Sequence, residues 1–229
     1  MGKRIISRAR GKGGPRYRAP SHRFVAKAAY PPRGDYEVMD IVHDPAHNSP
    51  LLRLRAGGRN FFMLAAEGVK VGDKINVGEL VAVGNALPLS KVPKGAYIFG
   101  IEDHPSSGPK FCRSPGTKSI VISHEADRVI VQMPSKQFKN FKPNCLATYG
   151  VPAGSGRGDK PYYKAGQVYF AKMARNRLWP RSSANKMNPV DHPFGGRTKP
   201  GTPKSISRWA PPGAKVGSIA SKRTGRRKK

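Results

Sequence analysis

The charge of this chain is concentrated at its two ends, and that placement constrains its fold more than any single motif does. Residues 1–30 hold nine basic side chains and no acid; residues 159–229 hold 18 basic side chains against two acids, Asp159 and Asp191. The 128 residues between them carry 16 basic and 11 acidic groups, the balance of an ordinary globular protein. Of the net +30 on 229 residues, +25 therefore sits in the ends. Such blocks repel themselves unless a polyanion neutralises them, and without one they behave as extended interaction arms. The common polyanions are nucleic acid and anionic membrane surfaces.

Composition narrows the classes. Glycine (26) and proline (22) together exceed the usual share of about 12%, with no strict glycine period, which excludes collagen and marks much of the backbone as loop. The longest apolar run, residues 61–66, is too short to span a bilayer. Only Ile5 and Ile6 stand where a secretory signal needs its apolar stretch, and Ile6 replaces the hydroxyl residue of a myristoylation motif. Cys112 and Cys145 have no Cys-x-x-Cys partner, so they read as free thiols of a reducing compartment rather than as a disulfide or zinc pair. The chain reads as intracellular.

The expected organisation has four parts. Residues 1–30, with glycines and prolines spaced by arginines, form a basic N-terminal arm without usable periodicity. Residues 31–84 form a first small barrel. Its strands lie near 37–43, near 52–56 where Leu52, Leu54 and Ala56 alternate with Arg53 and Arg55, at 61–65 after a Gly57-Gly58-Arg59-Asn60 loop, at 74–77 and at 80–83. Asn85-Ala86-Leu87-Pro88 reads as a linker into a second small barrel over residues 85–158. There strands are expected at 96–102, 119–124, 128–133, 136–139 and 146–149, with the hairpin through His124-Glu125-Ala126-Asp127 the clearest. Short strands without helical crossovers favour barrels over βαβ units. Gly154-Ser155-Gly156-Arg157-Gly158 reads as a flexible interdomain loop. Residues 159–229 form a basic C-terminal extension with one helix at 164–179, marginal alone because no acid pairs with its bases. The fold class is mainly β: two small barrels, extended basic arms and one short C-terminal helix.

No motif proposes a reaction. A P-loop, a dinucleotide glycine pattern, a zinc-protease helix and a nucleophile elbow are all missing. His22, His43, His47 and His104 suit surface or packing roles, and by spacing His192 sits in a turn in which Asp191 caps local backbone. Lysine and arginine neutralise phosphates, glycine lets a backbone approach them, and proline keeps an arm extended. Tyr17, Tyr162, Tyr163, Trp179 and Trp209 lie among the bases, where they can stack on unpaired nucleotides. With no helix-turn-helix, zinc finger or basic zipper, folded RNA suits these arms better than regular DNA. No amphipathic helix offers a membrane the apolar face it needs. The RNA-contacting candidates are Lys3, Arg4, Arg8, Arg10, Arg16 and Arg18 at one end, and Arg175, Arg177, Arg181, His192, Lys199, Arg208, Lys222 and Arg223 at the other. Arg53, Arg55 and Arg59 add a strand and its hairpin. From the residues alone, a nucleic-acid compaction protein working outside ribosomes stays open.

Ordered motifs then point further. Met187-Asn188-Pro189-Val190-Asp191-His192-Pro193-Phe194-Gly195-Gly196 resembles the signature of the universal large-subunit ribosomal protein two family in its archaeal and eukaryotic form. It is accompanied by Gly84-Asn85-Ala86-Leu87-Pro88-Leu89, Arg113-Ser114-Pro115-Gly116-Thr117, Pro134-Ser135, Lys164-Ala165-Gly166, Ala210-Pro211-Pro212-Gly213 and Val216-Gly217-Ser218-Ile219-Ala220. The resemblance spans nearly the whole chain. It implies an OB-fold followed by an SH3-like barrel, and a structural, non-enzymatic constituent of the large subunit in cytoplasmic ribosomes. It further implies primary rRNA binding that supports assembly, subunit association and the peptidyl-transferase region. The implied partners are large-subunit rRNA, neighbouring ribosomal proteins, the small subunit and tRNA. No cofactor is implied, Mg2+ entering only through the rRNA. Two departures from the family pattern are Arg197, where a third glycine is usual, and Arg181-Ser182-Ser183-Ala184-Asn185-Lys186.

Overall fold

The computed structural model describes residues 2–196 and 205–222, which fall into two compact units. One is Pro20–Lys164; the other joins the chain ends, Met1–Ala19 with Ala165–Lys229.

The Pro20–Lys164 unit is mainly β, as expected. Its ten strands are β1 Gly34–Val42, β2 Leu51–Ala56, β3 Arg59–Leu64, β4 Lys74–Val77, β5 Ala86–Pro88, β6 Tyr97–Phe99, β7 Ser119–His124, β8 Val129–Gln132, β9 Phe138–Phe141 and β10 Leu146–Tyr149. They hydrogen-bond in the order β3-β2-β1-β4-β5-β10-β6-β7-β8-β9. The period of two in β2 buries Leu52 and Leu54 and leaves Arg53 and Arg55 on the other face, as alternation requires. Gly57 and Gly58 both take positive φ (54° and 78°), the geometry of a two-residue hairpin turn, so Arg59 and Asn60 belong to β3 and not to the loop. Their partners are Ala56 and Arg55.

Two expected elements differ. No strand forms at 80–83: Asn76 Oδ1 accepts the N–H groups of Glu79 and Leu80 and turns the chain, leaving Leu80, Val81 and Val83 exposed. The expected linker at 85–88 is instead the fully buried β5, which bridges to β4 through Val77↔Ala86 and pairs antiparallel with β10. Asn85, whose polarity suggests a loop, is buried because its carboxamide accepts from Asn76 N–H and donates to the Leu80 carbonyl. β5 divides two cores. Ala86 joins Val38, Leu52, Leu54, Met63 and Ile75, whereas Leu87 joins Ile98, Ile101, Val121, Val131 and Ala147.

Residues 20–30 extend the β unit rather than the arm. Ala28 is buried with Leu51, Leu64, Ala66 and Phe99. The Tyr30 hydroxyl donates to the Gly100 carbonyl (2.8 Å) and lies 2.9 Å from Thr148 Oγ1; burial pushes this phenol well above its ordinary pKa. Gly100 (φ +65°) is required there, since a Cβ would lie 2.6 Å from Tyr30 Oη. Residues 154–158 also pack on this unit, as a 3-10 turn with Arg157 donating to Asn48, in place of a loose interdomain loop. Buried Glu102 accepts the N–H groups of Ser106, Gly108 and Leu146, so its charge is met by three donors. Cys112 and Cys145 are free thiols.

Asp44 ties residues 20–30 to the sheet. Its side chain is buried, with Oδ1 accepting from Val25 N–H (2.9 Å) and Oδ2 lying 2.5 Å from His47 Nδ1. Burial opposes the charged form, yet the Val25 N–H, the His47 ring and the Ala46 N–H outweigh it and hold the carboxyl below its ordinary pKa. A depressed carboxylate contributes stability above its unfolded value, about 3.9, and loses it as the pH falls through its folded value. Asp44→Asn should therefore lower the urea midpoint at pH 7, and the gap to the parent should close below about pH 4. A gap constant from pH 7 to pH 3 would refute the assignment.

Among its described residues the end unit has two α-helices, not one. α1 (Ile6–Gly11) forms within the expected arm and stops where Gly13 takes φ +67°. α2 (Ala165–Met173) is shorter than the expected 164–179. Asn176 ends it in the left-handed region (φ +48°): its N–H donates to Met173 O and Arg177 N–H donates to Lys172 O, a Schellman cap. Two parallel two-residue strands, β11 (Ser205–Ile206) and β12 (Ser218–Ile219), complete the unit. Among the described residues no helix is long and apolar enough to cross a membrane.

Candidate nucleic-acid interface

The two chain ends meet through backbone and side-chain hydrogen bonds rather than through an apolar core. Lys3 N–H donates to Val190 O (2.7 Å), and the Asn176 carboxamide donates to the carbonyls of Arg16 and Arg18 (2.7 Å each). Arg10 donates to Asn176 O and lies 5.2 Å from the centre of the Tyr17 ring; Arg18 Nε donates to Gly13 O (2.8 Å). Arg10 and Arg18 thus spend donors on shaping the unit. Arg4, Arg8 and Arg16 are exposed. Among the described residues of this unit, Ile5 and Val216 alone are buried apolar side chains.

The 187–196 segment folds on itself. Asp191 N–H and His192 N–H both donate to Asn188 O, Gly195 N–H donates to His192 O, and Gly196 N–H donates to Met187 O. The Asn188 carbonyl, not the Asp191 side chain, therefore caps this turn; Asp191 instead lies 3.9 Å from Lys3 Nζ. At Gly195 a Cβ would stand 2.5 Å from Met187 O and 2.6 Å from Asn188 O, so only glycine fits. The reason is close backbone approach, since Gly195 is not in the left-handed region. His192 Nδ1 accepts Phe194 N–H at 3.0 Å, and the two rings lie 5.0 Å apart. With Nδ1 accepting, the neutral ring carries its proton on Nε2. Desolvation and, second, the Arg8 charge lower the His192 pKa, so the ring is neutral at pH 7.

The remaining candidates scatter. Arg175 is half-buried and Arg177 exposed at the α2 cap, while Arg181, Arg208 and Lys222 are exposed without joining the His192 turn. Beside Arg208, Trp209 is 88% exposed, an accessible stacking surface. In the β unit, Arg53 and Arg55 line a shallow recess with Met39, Gly58 and Asn60, and Arg53 reaches Asp40 at 3.6 Å. Asp40 stands opposite Arg53 because Met39 bulges out of the β1–β2 register. Arg59 is exposed at the start of β3. Lys199, Arg223 and Arg197 lie outside the described residues. Reasoning from sequence missed Lys12, which joins Lys3, Arg4 and Arg8 around His192, and Asn176, whose polarity marks a cap but not its long-range partners.

A family model described as "Ribosomal Proteins L2, C-terminal domain" matches residues 82–215. Three relatives bear the name "Large ribosomal subunit protein uL2". That of Methanosphaerula palustris is 46% identical over 239 residues, covering all of both chains. That of Methanocella arvoryzae is 47% identical over 235 residues (98% of this chain and 99% of the relative), and that of Halorubrum lacusprofundi is 46% identical over 236 residues (99% and 98%). The matched stretch includes β5, the second core, α2 and the His192 turn, and the relatives align with both chain ends as well. The chain belongs to the ribosomal protein L2 family.

Proposed function

We propose that this chain is a structural constituent of the large ribosomal subunit that binds large-subunit rRNA directly and is not an enzyme. In this reading it supports subunit assembly and association in the cytoplasmic ribosome, and its end unit reaches toward the peptidyl-transferase region, where contacts to tRNA fall. Neighbouring ribosomal proteins are further partners, and Mg2+ enters through the rRNA. Strands β1–β4 with their own core are read as an OB-fold, and the strands around the second core as an SH3-like barrel.

One observation carries the proposal. The end unit combines 16 basic residues of 165–229 and seven of 1–19 with, among its described residues, almost no buried apolar surface. A unit built in this way gains little from hydrophobic burial, and its self-repulsion is relieved only by a polyanion. Binding to a large-subunit rRNA fragment should show a log-log salt slope of roughly −7 to −9, the value for about ten neutralised phosphates. A slope near −2 would overturn the reading. A compaction protein working outside ribosomes would bind bulk DNA as tightly as rRNA, so competition between the two separates the alternatives.

A further inference from the structure

The end unit carries a half-open pocket of about 720 Å3 between residues 2–12, the turn at 189–193 and residues 212–214. Ligand sites commonly fall within roughly 300–1,000 Å3. Its polar lining has one sign: Lys3, Arg4, Arg8 and Lys12 contribute cations, and among the described residues no acidic side chain lines it. The nearest carboxylate in the turn, Asp191, lies outside the lining and within 3.9 Å of Lys3 Nζ. Pro189, Pro193 and Pro212 form an apolar wall. His192 also lines it, and because its Nδ1 is taken by Phe194 N–H, Nε2–H is the ring's remaining donor.

We propose that this cavity is a preformed site for one backbone phosphate of an RNA strand, with Arg4, Arg8, Lys3 and Lys12 as its cationic wall and the His192 Nε2–H as its directional donor. The inference rests on the RNA-binding reading above and narrows it to one place. Four cations around a concavity without a lining counter-ion repel one another, and an oxyanion removes that repulsion. The apolar wall suits the sugar beside the phosphate. His192 then acts as a binding group in its neutral form, with no proton transfer. The charges bearing on the ring are Arg8, Lys3, Arg4 and Lys12 from the N-terminal segment and Asp191 from its own turn.

The test is a titration of the His192 ring protons by NMR in the full chain. It is done alone, with inorganic pyrophosphate, and with a short oligouridylate lacking terminal phosphates. An anion seated between Arg8 and the ring favours the imidazolium, so both ligands should raise the His192 midpoint. Arg4→Gln with Arg8→Gln should weaken pyrophosphate binding by about tenfold or more, and Lys70→Gln with Lys74→Gln, both exposed on the β unit, should leave it unchanged. An unresponsive ring, or equal losses in both variants, overturns the proposal; a response to pyrophosphate alone assigns the cavity to terminal phosphates and overturns the backbone site. Affinity for the rRNA fragment, measured on the same protein, separates these outcomes from failure of the RNA-binding reading itself.

Discussion

Replacing Lys3, Arg4, Arg8 and Arg16 together with glutamine is expected to flatten the salt slope of rRNA binding by roughly three to four, from loss of about 0.7–0.9 per phosphate contact. At 0.1 M salt that corresponds to a loss of affinity of roughly a thousandfold. These four are chosen because their side chains are exposed and, among the described residues, make no hydrogen bond within the unit, apart from the long contact of Lys3 with Asp191. Arg10 and Arg18 are different, since each donates to a carbonyl within the end unit. Changing that pair should lower the affinity mainly by loosening the unit, with a smaller change of slope. None of the six lies in Pro20–Lys164, so the far-UV spectrum of the β unit should not move. Fluorescence anisotropy against one rRNA fragment from 50 to 200 mM salt reads both quantities. If the four-residue variant keeps the parent slope, these side chains do not touch phosphate.

Gly195→Ala should be the most damaging glycine-to-alanine change among the described residues of the end unit. The new Cβ would sit 2.5 Å from one backbone carbonyl oxygen and 2.6 Å from another, and backbone cannot swing aside as a side chain does. Opening the turn breaks the Gly195 N–H to His192 O bond and the Gly196 N–H to Met187 O bond. At about 1 kcal/mol per hydrogen bond, with about 1–3 kcal/mol of overpacking strain, the expected cost is about 3–5 kcal/mol. Gly166→Ala on α2 is the matched control: nothing lies within 4 Å of its Cβ, and alanine is the better helix former. Hydrogen exchange should show lost protection at 187–196 in the first variant and none in the second. In cells that express both parent and variant, Gly195→Ala should be depleted from large subunits. Equal protection and equal incorporation would show that the turn yields more readily than its geometry implies.

Local pattern made much of this chain legible. β2 declares itself through Leu52 and Leu54 against Arg53 and Arg55, and the β7–β8 hairpin through two β-branched runs around a polar turn. The charge at the ends and the motif around His192 mark the candidate interface in the sequence itself. What stayed hidden depends on contacts distant in sequence. The β5 residues look like a linker because Asn85 and Pro88 are turn formers, and only pairing with β10, some 60 residues on, makes them a buried strand. Leu80, Val81 and Val83 look like a strand, but two hydrogen bonds to Asn76 bend the chain first. The early end of α2 follows from Asn176 adopting a left-handed conformation, which residue type permits but does not require. Gly195 is necessary because of carbonyl oxygens seven and eight residues away, a constraint that shows only once the turn is closed.

The carboxamide of Asn176 holds the carbonyls of Arg16 and Arg18 across sequence separations of 160 and 158 residues. During synthesis at about 5–20 residues per second, the N-terminal segment therefore waits roughly 8–30 seconds before its partner exists. Throughout that interval a highly cationic peptide is displayed with nothing of its own to close upon, among the polyanions of a crowded translation compartment. The order of manufacture thus sets a hazard, premature capture by the wrong nucleic acid, that the finished fold no longer faces in that form. A late-made asparagine closes the backbone of the segment, while Arg4, Arg8 and Arg16 stay exposed.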